Sequence, residues 1–339
     1  MTFGSLVRLV AMSGNRVPYD EFGYFADNAS EFGIAYDGPP TVRREAVVMD
    51  DGRAISSLVW GEAAPELVLI HGGAQNAHTW DTVCLALDRP LIAIDMPGHG
   101  HSDGPADAPA NVQRNAQDIA AVMRALAPDA RTVVGMSLGG LTTMALSAQE
   151  PELFDTMVLV DMTPGVTRGK AKQIADFVNG PKSFENFDEL LARAIEFNPT
   201  RTESSLRRGI LHNAEQREDG SWVWRYARHN VFSPLPGEDP TSSTEAEGDV
   251  SPAEPAPDPL DEARHAALWD ALENHDGPLV LARGMREQSV VDDADEAELR
   301  RRRPDARIEH FVEAGHSIQG DMPVELAALI SESVQAQLR

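Results

Sequence analysis

The sequence has a single cysteine, Cys84, so no intramolecular disulfide framework holds the fold together. Cys84 sits in the apolar stretch 83–87 and reads as a small buried hydrophobe. Lysine is scarce, three residues against 26 arginines, a skew that fits a high-GC bacterial genome. Positive charge is short altogether: 29 Lys and Arg face 54 Asp and Glu, a net charge of −25. That balance excludes a nucleic-acid binder, which needs a basic face for phosphates, and it argues against docking on anionic lipid. No apolar run reaches the ~18 residues of a membrane span. The apolar patch in residues 1–12 is broken by Arg8 and lacks a small-residue cleavage site, so no signal peptide is expected and the cytoplasm is the expected compartment. Neither H-E-x-x-H nor C-x-x-C occurs, so no metal is expected, and no cofactor is implied. The expected partner is a small-molecule substrate, with the chain a monomer or homodimer.

What remains is a chain of 339 residues, 42% hydrophobic, long enough for one large domain or two small ones. Residues 1–42 lack periodicity and read as an irregular arm. Arg44–Met49 and Ile55–Trp60 flank Asp50-Asp51-Gly52, a hairpin signal. Leu67–Ile70, Leu91–Ile94, Thr132–Val134 and Met157–Val160 are short and apolar throughout, as strands buried on both faces are. Helical patterns at Thr79–Ala86, Asn111–Leu126 and Leu138–Ala148 lie between them. This alternation predicts an α/β fold, a mostly parallel twisted sheet with helices on both faces. It stops at 165, where a helical pattern runs to 232, and resumes with strands at Leu279–Ala282 and Ile308–Val312 and helices at Asp293–Arg302 and Val324–Gln337. The predicted organisation is a core of 43–164 and 270–339 interrupted by a mostly helical insert, 165–269. Its Pro-rich acidic stretch 233–259 reads as a disordered loop.

The segment Thr132-Val133-Val134-Gly135-Met136-Ser137-Leu138-Gly139-Gly140 fits G-x-S-x-G, with a β-branched strand before it and a helical run after. A sharp strand-to-helix turn exposes such a serine at the sheet edge, and close packing around the turn requires glycine on both sides. The helix N-terminus behind it favours developing negative charge.

With this elbow, His71-Gly72-Gly73, Asp95-Met96-Pro97-Gly98-His99-Gly100-His101-Ser102 and Ala314-Gly315-His316-Ser317 occur in an order that resembles the α/β-hydrolases carrying an inserted cap. The resemblance covers roughly residues 44–164 and 270–339; the insert resembles the family only in its position. It implies Ser137 as nucleophile, His316 as general base, and an oxyanion hole from the N–H groups of Gly73 and Leu138. His71, His99 and His101 read as structural. The triad acid is open between two residues. Glu287 stands three after Gly284, where the family usually has Asp. Asp161 ends the strand 157–160, where some haloalkane dehalogenases carry their acid. Trp80 is either pocket wall or core; Met136, Trp222 and Trp224 are candidate substrate contacts. Ile174, Phe177, Phe184, Leu190, Ile195, Phe197 and Tyr226 of the insert are further candidates. His212, His229 and His265 read as packing or surface residues.

A serine rather than an aspartate at the elbow points to acyl chemistry. The first expectation is a carboxylic ester hydrolase working through an acyl-enzyme, on small apolar esters or related lactones and thioesters. The alternative is carbon–carbon bond hydrolysis of a diketone with the same triad, and a non-catalytic ligand receptor is a third class.

Overall fold

The computed structural model describes residues 17–105, 111–167, 169–226 and 259–337. Helix α1 (Phe25–Glu31) comes first, then the hairpin of β1 (Val42–Val48) and β2 (Ala54–Trp60) and strand β3 (Leu67–Ile70). A 3-10 turn (Ala77–Trp80) leads into α2 (Asp81–Leu87), followed by β4 (Leu91–Ile94), α3 (Val112–Leu126), β5 (Thr132–Met136), α4 (Leu138–Gln149) and β6 (Thr156–Val160). The insert holds α5 (Lys172–Val178), β7 (Ser183–Phe184), α6 (Phe187–Phe197), α7 (Glu203–Asn213), β8 (Ala214–Gln216) and β9 (Trp222–Trp224). The core closes with α8 (Pro259–Glu273), β10 (Leu279–Gly284), α9 (Asp293–Arg302), β11 (Arg307–Phe311), α10 (Ile318–Asp321) and α11 (Pro323–Gln337).

Eight strands form one sheet in the order β1-β2-β4-β3-β5-β6-β10-β11. β2 pairs antiparallel with β1 and β4, and the rest of the sheet is parallel. Apolar side chains cover both faces. One layer gathers Ile70, Ile92, Val133 and Leu159 under α3, α4 and α8; the other gathers Leu69, Ala93, Val134 and Val158 under α2 and α11. The four short apolar strands are thus buried on both faces, as their unbroken runs require. α3 shows the matching helical logic. The Asn111 side chain accepts the Arg114 N–H at the N-cap, and Val112, Ala116, Ile119 and Met123 line its buried face.

Three expectations need correction. The stretch 17–42 is not simply an irregular arm: Phe25 and Ala29, four apart on α1, are buried, and Phe25 packs on Trp60 at 5.0 Å. The insert is not purely helical. β7, β9 and β8 make a small antiparallel sheet, with a turn at Gly220 between β8 and β9, and Trp222 and Trp224, two apart on β9, share one face of it. The start of the helix expected at Thr79 is the 3-10 turn, with Asn76 accepting the His78 N–H. The acidic stretch lies outside the described residues up to 258. No helix among the described residues is long and apolar enough to cross a membrane.

Candidate active site

The C-terminal ends of β3, β5, β6 and β10 converge on Ser137. Between β5 and α4, Ser137 has φ +53° and ψ −118°, a conformation that side-chain-bearing residues rarely hold. The turn is enforced by packing. A Cβ on Gly135 would lie 2.5 Å from the Gly139 carbonyl oxygen, and one on Gly139 would strike the Ile70 carbonyl oxygen. Both glycines of the motif are therefore fixed by close approach of backbone.

Asp161 ends β6, also at positive φ (+45°), and is fully buried. Its carboxylate accepts four hydrogen bonds: from Gly284 N–H (3.0 Å), Ser289 Oγ (2.6 Å), Val290 N–H (3.0 Å) and His316 Nδ1 (2.9 Å). An ionised carboxylate only accepts, so the bond places the imidazole proton on Nδ1 and the lone pair on Nε2. His316 Nε2 is buried and has no hydrogen-bond partner, and it shares one cavity with Ser137. The loop before His316 is itself held, since Gly315 N–H donates to Asp321 Oδ2 at 2.9 Å. Asp321 Oδ1 accepts from Thr200 of the insert, also at 2.9 Å. The structure thus brings Ser137, His316 and Asp161 to one place. It leaves Glu287 exposed at the cavity, with Asp161 in the position that contacts His316.

Backbone donors sit beside Ser137. Leu138 opens α4, so its N–H belongs to those a helix leaves without an internal partner. Gly73 lines the cavity with Met136 and Ser137, and a Cβ there would lie 3.8 Å from Leu138 Cδ2. The N–H groups on either side of Gly73 are engaged, Gly72 with Gln75 Oε1 and Ala74 with His99 Nε2. The remaining histidines of these loops are structural. His71 Nε2 accepts the Met96 N–H at 2.9 Å and its Nδ1 donates to the Gly72 carbonyl at 2.7 Å. His99 Nδ1 reaches the Pro97 carbonyl. Asp95 is buried beside them, accepting from Ala77 N–H and His101 N–H and pairing with Arg44 at 2.8 Å.

The cavity has a volume of about 190 Å³. Its apolar wall comes from the insert: Ile174, Phe177, Val178, Phe197 and Pro199. Met136 lines it as expected. Trp80 does not; it is fully buried in the layer under α2 and α11, where its indole fills core rather than pocket. Trp222 packs on Phe187 at 5.1 Å inside the insert's own small core. Trp224 lines the neighbouring cavity, with its ring 5.6 Å from Phe177. The sequence reading missed Ser289, Gln288 and the Thr200–Asp321 tie. The Ser289 hydroxyl, two residues past Glu287, is the one visible signal, a short polar residue in the loop after β10.

The sequence model described as "Alpha/beta hydrolase family" matches residues 67–329. The esterase Rv0045c of Mycobacterium tuberculosis is 39% identical over 319 residues, covering 92% of this chain and 94% of that protein. A solved structure of that esterase superposes with a TM-score of 0.75 at 36% identity, covering 94% of this chain and all of the other. That structure was reported together with the esterase's inhibition by transition metals. An sn-1-specific diacylglycerol lipase of Xenopus laevis is 29% identical over 48% of this chain and 54% of its own. Sheet order, insert position and these matches together place the chain in the alpha/beta hydrolase family, as a hydrolase.

Proposed function

We propose that the protein is a serine-dependent carboxylic ester hydrolase acting through an acyl-enzyme. Ser137 Oγ attacks the ester carbonyl while His316 Nε2 takes its proton. Asp161 fixes the imidazole tautomer and stabilises the imidazolium that forms. The carbonyl oxygen, as it gains charge, is held by the N–H groups of Gly73 and Leu138 at the start of α4. The alcohol leaves with the proton from His316, and water then cleaves the acyl-enzyme by the same route in reverse. The observation that carries this reading is the buried Asp161–His316 contact of 2.9 Å with Nε2 left facing the Ser137 cavity.

The cavity favours small apolar acyl groups. At about 190 Å³ it lies below the ~300 Å³ at which drug-sized ligand sites begin, and phenylalanine and isoleucine of α5 and α6 close its far wall. The likeness to an esterase over nearly the whole chain supports the ester bond as the one cleaved. The test is hydrolysis of a p-nitrophenyl ester series from acetate to decanoate. The proposal predicts turnover falling beyond butyrate or hexanoate, and loss of at least ~10⁴-fold in kcat for Ser137→Ala. Undiminished turnover in Ser137→Ala would overturn it.

A further inference from the structure

Beside the Ser137 cavity lies a second one, of about 150 Å³, where the insert meets the core. The two share Gln75, Phe177 and Asn198 as a common wall. They adjoin at the catalytic end. A Cβ on Gly72 would lie 3.2 Å from both Gln75 Oε1 and Ser137 Cβ, so those two atoms are at most twice that distance apart. The second cavity differs from the first in charge. Three cationic side chains line it, His78, Arg201 and Arg208, against a single carboxylate, Asp81.

Two of the three cations are already matched. Arg208 pairs with Glu31. Burial lowers the His78 imidazole, but Asp81 at 2.9 Å and Glu21 at 3.2 Å raise it to about 9, so it is charged and matches Asp81. Arg201 is not matched. Its Nε and Nη2 both donate to Ser205 Oγ; among the described residues Nη1 has no hydrogen-bond partner and the guanidinium has no ion pair. The carboxylates that reach it electrostatically, Asp321 and Glu31, stand beyond ion-pair distance. Each has its own partners, Thr200 and Gly315 for Asp321, Arg208 and Thr202 for Glu31. Burial accordingly pulls the guanidinium below its ordinary value. A guanidinium carries five N–H donors in a planar fork that fits a carboxylate, and a charge out of water is costly until it is paired. Two buried atoms of the same lining, Gln319 Oε1 and His212 Nε2, also lack a partner, so the cavity suits a polar occupant.

The position of Arg201 says which half of an ester it faces. Its Nη1 leaves no room for a Cβ on Gly320, and Gly320 lies on α10, four residues after His316. Arg201 is thus on the side of the residue that protonates the leaving alcohol. The apolar wall of Ile174, Val178 and Phe197 belongs to the first cavity alone and suits the acyl half.

We propose that Arg201 binds a carboxylate carried by the alcohol half of the substrate, so that the preferred substrates are acyl esters of small hydroxycarboxylic acids. This rests on the reading of Ser137 as an ester-cleaving nucleophile. The acyl group lies against the apolar wall, the alcohol half passes Gln75 and Phe177 into the second cavity, and its carboxylate meets Arg201. A cavity of about 150 Å³ holds one aromatic ring, which limits the alcohol half to a single ring or a short chain. The ester C–O bond breaks, its oxygen takes the proton from His316, and the hydroxy acid leaves with its carboxylate still ionised. No sequence motif marks Arg201, one arginine of 26.

The test compares kcat/KM for 3-acetoxybenzoate and phenyl acetate, two acetates that differ by a carboxylate on the alcohol half. Wild type is expected to prefer the first by roughly 10–100-fold. Arg201→Gln loses that preference, and Arg201→Lys, which keeps the charge without the fork, retains part of it. The p-nitrophenyl monoester of succinic acid, with its carboxylate on the acyl half, gains nothing over p-nitrophenyl acetate. Calorimetry with 3-hydroxybenzoate and 3-hydroxybenzamide reads the same site without turnover: wild type binds the acid more tightly than the amide, and Arg201→Gln does not discriminate. Equal rates on the two acetates in wild type overturn the proposal. So does an undiminished preference in Arg201→Gln, or a preference for the succinate monoester that Arg201→Gln abolishes. A wild type that cleaves no ester contradicts the reading of Ser137 instead, and the binding comparison then decides for or against a carboxylate at Arg201. If Arg201→Gln does not fold, equal affinity of the wild type for the acid and the amide decides against it.

Discussion

At the scale of single residues, Asp161 decides between two acids that the sequence left level. Glu287 matched the family's spacing more closely, but spacing is counted along the chain and the contact is made across the sheet. β10 runs beside β6, so the end of β10 and the loop after it deliver Gly284, Ser289 and Val290 as donors to Asp161 instead of an acid. Two consequences separate the candidates. Asp161→Asn should lower kcat by roughly 10³–10⁴-fold, because the amide no longer fixes the imidazole tautomer. Glu287→Gln should leave kcat within about threefold, an exposed polar change away from any partner. Ester turnover of the two variants at saturating substrate checks both. Ser137 and His316, in contrast, were legible from the sequence. Ser137 lies between the motif glycines 135 and 139 and His316 follows Gly315, and for the elbow the structure shows the clash that a larger residue at either glycine would meet.

At the scale of elements, strands were read well and the insert poorly. An unbroken apolar run such as Leu67–Ile70 has one fate in a sheet covered on both faces, and its placement follows. Trp222 and Trp224 carry no such signal. Two aromatics flanking a valine fit a helix or a strand equally, and only pairing with Ala214–Gln216 settles the matter. Trp80, open between pocket wall and core because an indole serves either, is core. Helix α9 offers two tests of its own. Asp292 caps it through a full capping box with Asp295, so Asp292→Ala should cost about 1 kcal/mol in urea unfolding. Glu296 on the same helix bonds to Arg283, His310 and Arg300. Burial alone would raise its carboxyl, but these partners bring it from the ordinary 4.5 down to about 2. Its contribution to stability is therefore complete above about pH 4.5 and is lost as pH falls toward 2. In Glu296→Gln the fall in Tm across that window should be shallower than in wild type, and an identical fall would contradict the assignment.

For the whole molecule, composition set limits without identifying anything. A net charge of −25 is a standing repulsion within the folded chain. Raising NaCl from ~10 to ~150 mM shortens the screening length from about 30 to about 8 Å, so the Tm should rise over that range. A fall would mean that attractive pairs, such as Arg44 with Glu21 and Asp95, outweigh the general repulsion. The organisation of a sheet split by an insert was legible because strand–helix alternation stops and restarts. Of the insert residues proposed as substrate contacts, Ile174, Phe177 and Phe197 wall the cavity; what the sequence did not show is that Thr200 ties the insert to the loop of His316 through Asp321. The Thr200–Asp321 contact joins residues 121 apart, and no local pattern announces it. The central claim, that this assembly makes Ser137 a nucleophile, is tested most directly by reacting the protein with a fluorophosphonate and locating the adduct by peptide mass spectrometry. The account predicts one adduct, on Ser137, slowed strongly in Asp161→Asn and His316→Ala and absent in Ser137→Ala. An unlabelled wild type, or equal labelling of Ser137→Ala, would contradict it.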